Sequence, residues 1–335
     1  MLQKFWLCSD QAKDSNPFYT KAARAYDMLH AQAIQCILQY IAQQQNPDGG
    51  FQGKAKESDL YYTFFGLASW YALAGPTKQE LPQLNFQTLW NWLLTKLQQA
   101  DIDFIHRCCL IRSLIMVAHW KALHEPIGNA LSMYELLSKL VHSLETYRQS
   151  DGGYSAFGKP PSTLYDTFLA SETYQDAQIP MPDSHKLSPF VWQYQTKDKA
   201  FANLPQAEIG STTATGAAIQ ILQSTRQPIP ISLVHWILQR YDLQQGGFYA
   251  SPQAAIPDLL STSVALYTLA SDQQLEPLSI ELVKAFLGNH KKNCQNFLEL
   301  LWHENGGFCG TTLELLPDCE YTFYALLAMG CLAEA

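Results

Sequence analysis

The 335-residue sequence lacks any block of basic residues, and its formal net charge at pH 7 is −8. Because nucleic acid is bound through clustered lysine and arginine, we expect no nucleic-acid partner. No apolar run approaches the length of about 18 residues that a membrane-spanning helix needs. The first residues, MLQKFWLCSDQAKDSN, also lack the apolar core of a secretory signal. We therefore expect a cytoplasmic protein without a transmembrane segment.

The eight cysteines include no C-x-x-C spacing, and two of them are adjacent at Cys108 and Cys109. This usage is typical of reduced, buried thiols and not of a disulfide framework. Alternating β-branched runs, which are the pattern of strands, are almost absent. The chain is instead rich in apolar residues (47%) and aromatic residues (12%), with only 16% charged residues. This composition excludes intrinsic disorder and predicts a large core.

Four segments share a turn in which two glycines precede an aromatic residue. They are QQQNPDGGFQG (43–53), YRQSDGGYSAFG (147–158), LQQGGFYA (243–250) and HENGGFCG (303–310). Glycine supplies the positive φ angles that end a helix and reverse the chain. Twelve to fourteen residues after the aromatic residue, a threonine begins a small-residue, apolar helical run. The pairs are Phe51 with Thr63, Tyr154 with Thr167, Phe248 with Thr262, and Phe308 with Thr322.

Two further copies are degenerate. One keeps a spacing of twelve residues from Phe201 to Thr213, and the other begins near Asp103 and has Arg107 in the threonine position. Amphipathic partner helices precede the turns, the first of them predicted over about 19–44. Six hairpins whose second helices are apolar and rich in small residues can bury those helices by closing into a ring. We therefore predict an all-α, (α/α)6 toroid of six helical-hairpin repeats, with residues 1–335 as a single domain.

An aspartate lies four residues before the threonine in several copies, at Asp59, Asp103, Asp258 and Asp318. An aspartate just before a helix accepts hydrogen bonds from the free N–H groups of the first turn, which stabilises the helix by about 1 kcal/mol. We predict helix caps here and a structural thiol at Cys319. A zinc enzyme with ligands drawn from Asp318, Cys319 or His106 remains a less favoured alternative.

The repeat pattern Q-x-x-DGG-F-x-G followed by D-x-x-Y-T resembles that of protein prenyltransferase β-subunits and of the squalene-cyclase class of terpene cyclases (class II terpene cyclases). QQQNPDGGFQG with ESDLYYTFFGLASWYAL and ENGGFCG with LPDCEYTFYALLAMG carry the resemblance best, and it covers nearly the whole chain. It implies the α/α toroid fold. The same toroid also serves other roles, including the thioester domains of complement proteins, so the resemblance implies fold more strongly than chemistry.

The catalytic motifs of both families are altered. Prenyltransferases hold zinc through the Asp and Cys of a D-x-C motif and the His of a Y-H-T motif, each at the start of a helix. At the corresponding positions this chain has Asp258-Leu259-Leu260 and Glu320-Tyr321-Thr322. The resemblance therefore implies that the family zinc site is lost, and we expect no metal and no cofactor. Class II cyclases donate a proton from the middle aspartate of D-x-D-D-T-A. The nearest match is Thr163-Leu164-Tyr165-Asp166-Thr167, with Tyr165 in the donor position.

The residue directly before the aligned threonine is expected near the mouth of a central cavity. These residues are Tyr62, His106, Asp166, Thr212, Ser261 and Tyr321. Asp166 is the one carboxylate among them, and together with Tyr165 and His106 we predict it to be catalytic, its pKa tuned by burial. An ion pair between Asp166 and Arg107 or His106 is the structural alternative. Glu208 and Glu320 are weaker candidates for an acid.

Substrate binding is predicted for the remaining polar and aromatic residues of this region. Arg107, close to the positive helix ends, could hold a diphosphate or carboxylate, or could instead pair with an outer helix. Aromatic faces could line a prenyl-sized cavity or belong to the plain core. The predicted binding residues are Arg107, Tyr61, Tyr62, Phe168, Tyr321, Thr212 and Ser261. The irregular segment 172–205 is predicted to be a loop with one short helix, and it could form a lid over the cavity mouth or a surface loop.

We therefore expect an enzyme that acts on an isoprenoid-like or other apolar small molecule, or on a diphosphate-bearing one, in a central aromatic cavity. Because both family motifs are altered, enzymatic activity itself stays an expectation. The alternative is a non-catalytic toroid that binds a partner protein, as the β-subunits of this family bind helical α-subunits. The sequence alone does not identify the substrate or the reaction.

Overall fold

A computed structural model describes residues 16–75, 82–99, 101–124, 130–271 and 274–333. The N-terminal stretch in which no secretory signal is predicted lies mostly outside them. In chain order the α-helices are α1 (Pro17–Ala23), α2 (Ala31–Gln43), α3 (Leu60–Ala74), α4 (Phe86–Leu97), α5 (Phe104–His124), α6 (Ala130–His142), α7 (Leu164–Asp176), α8 (Leu187–Trp192), α9 (Thr212–Ser224), α10 (Ile231–Leu238), α11 (Leu259–Leu269), α12 (Pro277–Leu300) and α13 (Cys319–Ala333). Two short antiparallel strands, β1 (Phe51–Gln52) and β2 (Ser58–Asp59), and the 3-10 helices Arg24–Met28, Ser143–Tyr147 and Ser184–Lys186 complete the description.

The described helices form two layers. In the inner layer α3 packs on α5, α5 on α7, α7 on α9, α9 on α11, α11 on α13, and α13 returns to α3. In the outer layer, α2 packs on α3, and both α4 and α6 pack on α5. Helix α8 packs on α9, and α12 packs on α13. The inner helices are buried on nearly every side, which is why their apolar residues follow no single stripe. The predicted α/α toroid is confirmed.

The glycine turns bring each outer helix back to its inner helix. Gly49 has a φ of 103°, and a Cβ there would lie 2.4 Å from backbone atoms of Thr88 and Leu89. Gly306 has a φ of 98°, and its Cβ would lie 2.3 Å from the carbonyl oxygen of Cys36. Both positions therefore need glycine for its conformation and for the close approach of a neighbouring backbone.

A hydrogen bond explains the threonine that follows each turn. In five units the backbone N–H of the buried turn aromatic donates to this threonine. The pairs are Phe51 with Thr63 (2.9 Å), Tyr154 with Thr167 (2.9 Å), Phe201 with Thr215 (3.1 Å), Phe248 with Thr262 (2.9 Å) and Phe308 with Thr322 (3.2 Å). The predicted partner of Phe201, Thr213, is therefore wrong by two residues. Spacing alone could not choose between two threonines in STTATG.

The predicted aspartate caps are confirmed. A carboxylate oxygen accepts a first-turn N–H in each case: Asp59 from Tyr61 (2.8 Å), Asp258 from Ser261 (2.7 Å) and Asp318 from Tyr321 (2.8 Å). Thr163 and Ser211 cap α7 and α9 from the same repeat position. The stretch LPDCEYTF is thus the start of α13, capped by Asp318.

The N-terminal region differs from its prediction. The helix predicted over about 19–44 is two helices, α1 and α2, joined by the 3-10 helix Arg24–Met28 and by Leu29 in extended conformation. This break lets α1 leave the outer layer and pack against the inner helices α3 and α13. Phe18 and Tyr19 are buried there. An amphipathic pattern does not reveal such a break, because both pieces keep an apolar face.

The irregular segment 172–205 contains the one short helix that was predicted for it. Its first five residues complete the inner helix α7, and Leu187–Trp192 forms the outer helix α8. Phe190 and Val191 of α8 are fully buried, so this part belongs to the core. Asn203 lines the central cavity, so a lid role of the segment's last residues remains a prediction.

Candidate functional site

The inner helices enclose a cavity of about 350 Å³, a volume typical of small-molecule sites. Most of its wall is apolar or aromatic. The lining residues are Phe18, Tyr61, Tyr165, Phe168, Asn203, Thr213, Ala214, Gly216, Ala217, Gln220, Leu260, Val264, Tyr267, Thr268, Glu320, Tyr324 and Leu327. Glu320 is the one carboxyl among these lining residues, and none of them is lysine, arginine or histidine.

The lining residues follow a simple repeat rule. On α9, α11 and α13 they include the residues two before, two after and five after the hydrogen-bonded threonine. These are Thr213, Ala217 and Gln220 on α9, Leu260, Val264 and Tyr267 on α11, and Glu320, Tyr324 and Leu327 on α13. Such i, i+4, i+7 spacing marks one face of a helix. The residue two before the threonine also lines the cavity on α3 (Tyr61) and α7 (Tyr165), so this position marks the cavity mouth.

Glu320 lies in the first turn of α13 and meets Tyr61 of α3. The hydroxyl of Tyr61 donates a hydrogen bond of 2.6 Å to Oε1 of Glu320. Burial raises the pKa of Glu320 to about 7, although the Tyr61 hydrogen bond acts in the opposite direction. At neutral pH this carboxyl is therefore divided between its acid form and its base form. It can donate a proton to a ligand or accept one.

Aromatic rings surround this carboxyl. The ring of Phe65 lies 4.9 Å from the ring of Tyr61 and 5.4 Å from that of Tyr324, between centroids. Burial raises the pKa of Tyr61, Tyr165 and Tyr324 well above the usual range, so each phenol stays neutral at physiological pH. Neutral aromatic faces attract positive charge. The wall next to Glu320 is therefore suited to a cation, or to a transition state with cationic character.

Below the cavity, a buried polar cluster fixes α1 inside the ring. Arg112 of α5 donates from Nε to Asp176 of α7 at 2.6 Å. The amide of Asn16 donates to Glu172 at 3.0 Å and to Asp176 at 2.7 Å, and the hydroxyl of Tyr19 donates to Asp176 at 2.6 Å. The ring centre is thus open at one end and filled by α1 at the other.

The predicted catalytic residue Asp166 lies away from the cavity wall. Its Oδ2 accepts the backbone N–H of Ala156 at 2.8 Å, which attaches α7 to the turn that precedes it. Its side chain is buried, and burial raises the pKa of its carboxyl. The predicted position at the cavity mouth is wrong because the cavity-facing residue is one earlier in the chain. One residue turns a helical side chain by about 100° about the axis.

His106 also lies outside the cavity. Its Nδ1 is 2.6 Å from Asp103 and its Nε2 is 3.2 Å from Asp59, so the imidazole joins the caps of two adjacent inner helices. Hydrogen bonds to Asp59 and Asp103 raise the pKa of His106 to about 9, so the ring is a cation at neutral pH. His106 therefore pairs with Asp59 and Asp103, and not with Asp166 as the structural alternative predicted.

Only some of the predicted binding residues line the cavity. Tyr61 and Phe168 do so, as does Tyr165, which was predicted to be catalytic. The predicted binding residues outside the lining are Arg107, Tyr62, Thr212, Ser261 and Tyr321. Thr212 donates to the carbonyl of Tyr249 at 2.6 Å, and Ser261 donates to Asp258 at 2.8 Å. Lys54 lies 5.9 Å from the ring centroid of Tyr321.

Glu320 was a weaker acid candidate than Asp166 from the sequence, although it lines the cavity and Asp166 does not. Phe18, Gln220, Tyr267 and the Arg112 cluster were not predicted from the sequence. A usable signal was present for the Arg112 cluster. Arg112 and Glu172 are charged residues in the middle of inner helices, and such residues are seldom buried unless they are paired. No sequence signal distinguishes Phe18 from an ordinary core residue, because α1 reaches the cavity only through the fold.

The described residues contain neither a membrane-spanning helix nor a cluster of metal ligands. None of their helices is long and apolar enough to cross a membrane. They also contain no group of three or more His, Cys, Asp or Glu side chains placed to hold a metal ion. Asp318, Cys319 and His106, the ligands of the alternative zinc hypothesis, form no such group.

Together these features define a toroid protein with an aromatic cavity that is open at one end. The sequence model of a protein family, the prenyltransferase alpha-alpha toroid domain, matches residues 4–109, 126–253, 215–286 and 250–335. The chain therefore belongs to this family, as the sequence resemblance implied. No curated protein matches the chain in sequence.

Solved structures with the same fold have diverse activities. Protein geranylgeranyltransferase-I of Candida albicans, complexed with GGPP, is 12% identical with a TM-score of 0.56, covering 92% of this chain and 89% of its own. The type II terpene cyclase MstE from Scytonema is 11% identical with a TM-score of 0.54, covering 94% and 98%. A D-mannose isomerase is 10% identical with a TM-score of 0.58, covering 91% and 98%. At such identities the likeness establishes the fold alone.

Proposed function

We propose that this protein is an enzyme that binds an apolar, isoprenoid-like small molecule in the central cavity and transfers protons through Glu320. The observation that carries the proposal is the Glu320–Tyr61 pair, a carboxyl with a pKa of about 7 on an aromatic wall. A catalytic acid or base works best when its pKa lies near the working pH. Strongly shifted pKa values in a cleft are a common property of catalytic groups.

The reaction type follows from the groups present. Protonated Glu320 gives its proton to a carbon of an activated double bond in the ligand, and the ligand becomes cationic. The faces of Tyr165, Phe168 and Tyr324 stabilise that charge. The carboxylate of Glu320 then takes a proton from a neighbouring carbon, which restores the acid. The net change is an isomerisation or cyclisation in which no atoms are gained or lost.

The lining favours a neutral ligand over a diphosphate. A diphosphate needs cations close to its oxygens, and the predicted anchors Arg107 and His106 do not line the cavity. The carboxyl of Glu320 would repel an anion whenever it is ionised. We therefore assign the substrate class as apolar molecules with an uncharged polar end.

Deuterium incorporation tests the proposal even while the product is unidentified. The protein is incubated in D2O with a panel of neutral isoprenoids, and carbon-bound deuterium is measured by mass spectrometry. We expect incorporation with the wild type, almost none with Glu320→Gln, and wild-type rates with Asp166→Asn as a control buried carboxyl. Full incorporation by a folded Glu320→Gln protein contradicts the proposal. Loss with Asp166→Asn alone would restore the role first predicted for that residue.

One observation favours a second function, a scaffold that binds a partner protein. Leu313, Leu315 and Leu316 in the loop before α13 are 75%, 84% and 79% exposed. Neighbouring exposed apolar residues often mark protein interaction sites. A stoichiometric partner that co-purifies with the wild type, but not with a Leu315→Ser/Leu316→Ser variant, would support this function. Equal recovery with both proteins would exclude these leucines as the binding site.

A further inference from the structure

The N-terminal helix α1 forms part of the deep end of the cavity. Phe18 of α1 lines the cavity and is 8% exposed. Between centroids its ring lies 5.7 Å from that of Tyr267 and 4.8 Å from that of Phe323. Tyr267 lies two helical turns into α11, whereas Glu320 lies in the first turn of α13. Phe18 therefore lies deeper in the cavity than the Glu320 carboxyl.

Buried hydrogen bonds hold this floor in place. Asn16 and Tyr19, on either side of Pro17 and Phe18, both donate to the carboxylate of Asp176. Arg112 donates to the same carboxylate and, at 2.8 Å, to the hydroxyl of Tyr19. Both side chains of the Arg112–Asp176 ion pair are less than 5% exposed. Charge-assisted hydrogen bonds in so dry a place are strong and geometrically specific, so α1 is a fixed part of the wall.

We propose that Phe18 is a specificity-determining residue that sets the length of apolar chain the cavity accepts. This inference rests on the proposed function, because it takes the polar end of the ligand to lie at Glu320. Leu260 and Thr268 of α11 both line the cavity. At 1.5 Å per residue, the wall between them extends about 12 Å. A chain longer than this space meets the ring of Phe18.

The longest chain that the cavity accepts can be found by measuring how the affinity for linear alcohols changes with their length. Each methylene group that enters the cavity lowers the Kd about fourfold, and a group that finds no room brings no gain. The Kd of primary alcohols from hexanol to tetradecanol is measured by displacement of the neutral fluorophore N-phenyl-1-naphthylamine. For the wild type, we expect the Kd to fall with chain length and then to level off.

The proposal is tested by making the side chain at position 18 smaller and larger. Phe18→Ala should move the levelling point to longer alcohols and tighten the longest ones by about tenfold. Phe18→Trp should move it to shorter alcohols. Phe297→Ala is the matched control, because Phe297 is 1% exposed but packs in the outer layer beneath Gly247, away from the cavity. It should keep the wild-type levelling point, and urea unfolding verifies that each variant is folded.

Two results overturn the inference. The first is an unchanged levelling point in folded Phe18→Ala and Phe18→Trp proteins. The second is a wild type that binds none of the alcohols, which removes the assigned ligand class as well. If the levelling point moves as expected while Glu320→Gln keeps full deuterium incorporation, the length limit stands and the catalytic proposal fails.

Discussion

The hydroxyl of Tyr61 donates a 2.6 Å hydrogen bond to the carboxylate of Glu320, although the two residues are 259 positions apart in the chain. Tyr61 belongs to the first inner helix, α3, and Glu320 to the last, α13, so this bond lies where the ring closes. The same contact places the ionisable group of the cavity beside the aromatic wall. The proposed chemistry therefore uses a contact that forms where the ring closes.

Removing this hydrogen bond should change the acidity of Glu320. The Tyr61 hydroxyl stabilises the carboxylate, so Tyr61→Phe should raise the pKa of Glu320 above about 7. The pH profile of deuterium incorporation should move to higher pH, and a carbon NMR titration of labelled glutamate should show the same shift. Tyr62→Phe, which removes a neighbouring phenol outside the cavity lining, should leave both readouts unchanged. An unmoved Tyr61→Phe profile would show that Glu320 does not control the reaction.

The His106 bridge should make stability depend on pH. The pKa of His106 is about 9 in the folded protein and about 6.5 without its partners. Its contribution is therefore fully present below about pH 6.5 and is lost as the pH rises through about 9. Because the side chain is 35% exposed, we expect a contribution of only about 1 kcal/mol. Urea unfolding at both ends of this range should show a smaller pH-dependent loss for His106→Gln than for the wild type.

The exposed His235 provides the control for that measurement. His235→Gln should lose stability with pH as the wild type does, because no described hydrogen bond or ion pair joins the His235 side chain to an acidic group. A His106→Gln protein with the wild-type pH dependence would mean that the imidazole does not carry charge between the two caps.

The Arg112 cluster should dominate the stability of the ring centre. Arg112→Met leaves the carboxylate of Asp176 buried without its cation, which costs about 3–5 kcal/mol in the free energy of unfolding. It also removes a hydrogen bond to Tyr19, so α1 should become more accessible to hydrogen exchange. Lys292→Met, which breaks the exposed ion pair with Glu299, should leave stability nearly unchanged. Equal effects of the two substitutions would contradict the buried pairing.

Substitution of two threonines in one short segment should affect stability to different extents. Thr215→Val removes the acceptor for the buried N–H of Phe201 and should cost about 1–3 kcal/mol. Thr213→Val changes a cavity-lining side chain that holds no turn, and it should leave the free energy of unfolding almost unaltered. Urea unfolding of the two proteins decides between Thr213 and Thr215 as the residue aligned in the repeat. A larger loss for Thr213→Val would restore the alignment made from spacing alone.

Much of the fold could be predicted because it repeats. The glycine turns, the capping aspartates and the apolar second helices recur along the chain, and each has a local physical cause that acts on nearby residues. The candidate site was predicted only in part. Tyr61, Tyr165 and Phe168 were placed correctly on the cavity wall, but Asp166 and His106 were assigned to it through an alignment column that is one residue away from the column that faces the cavity.

The sequence by itself therefore determined the ring of paired helices, since hydrophobic period and turn chemistry are properties of short segments. Only the tertiary structure decided which face of each inner helix points to the centre, because a rotation of about 100° per residue makes the direction depend on packing. It also decided that α1 enters the ring and that Tyr61 reaches Glu320. Those contacts join distant parts of the chain, and no local pattern encodes them.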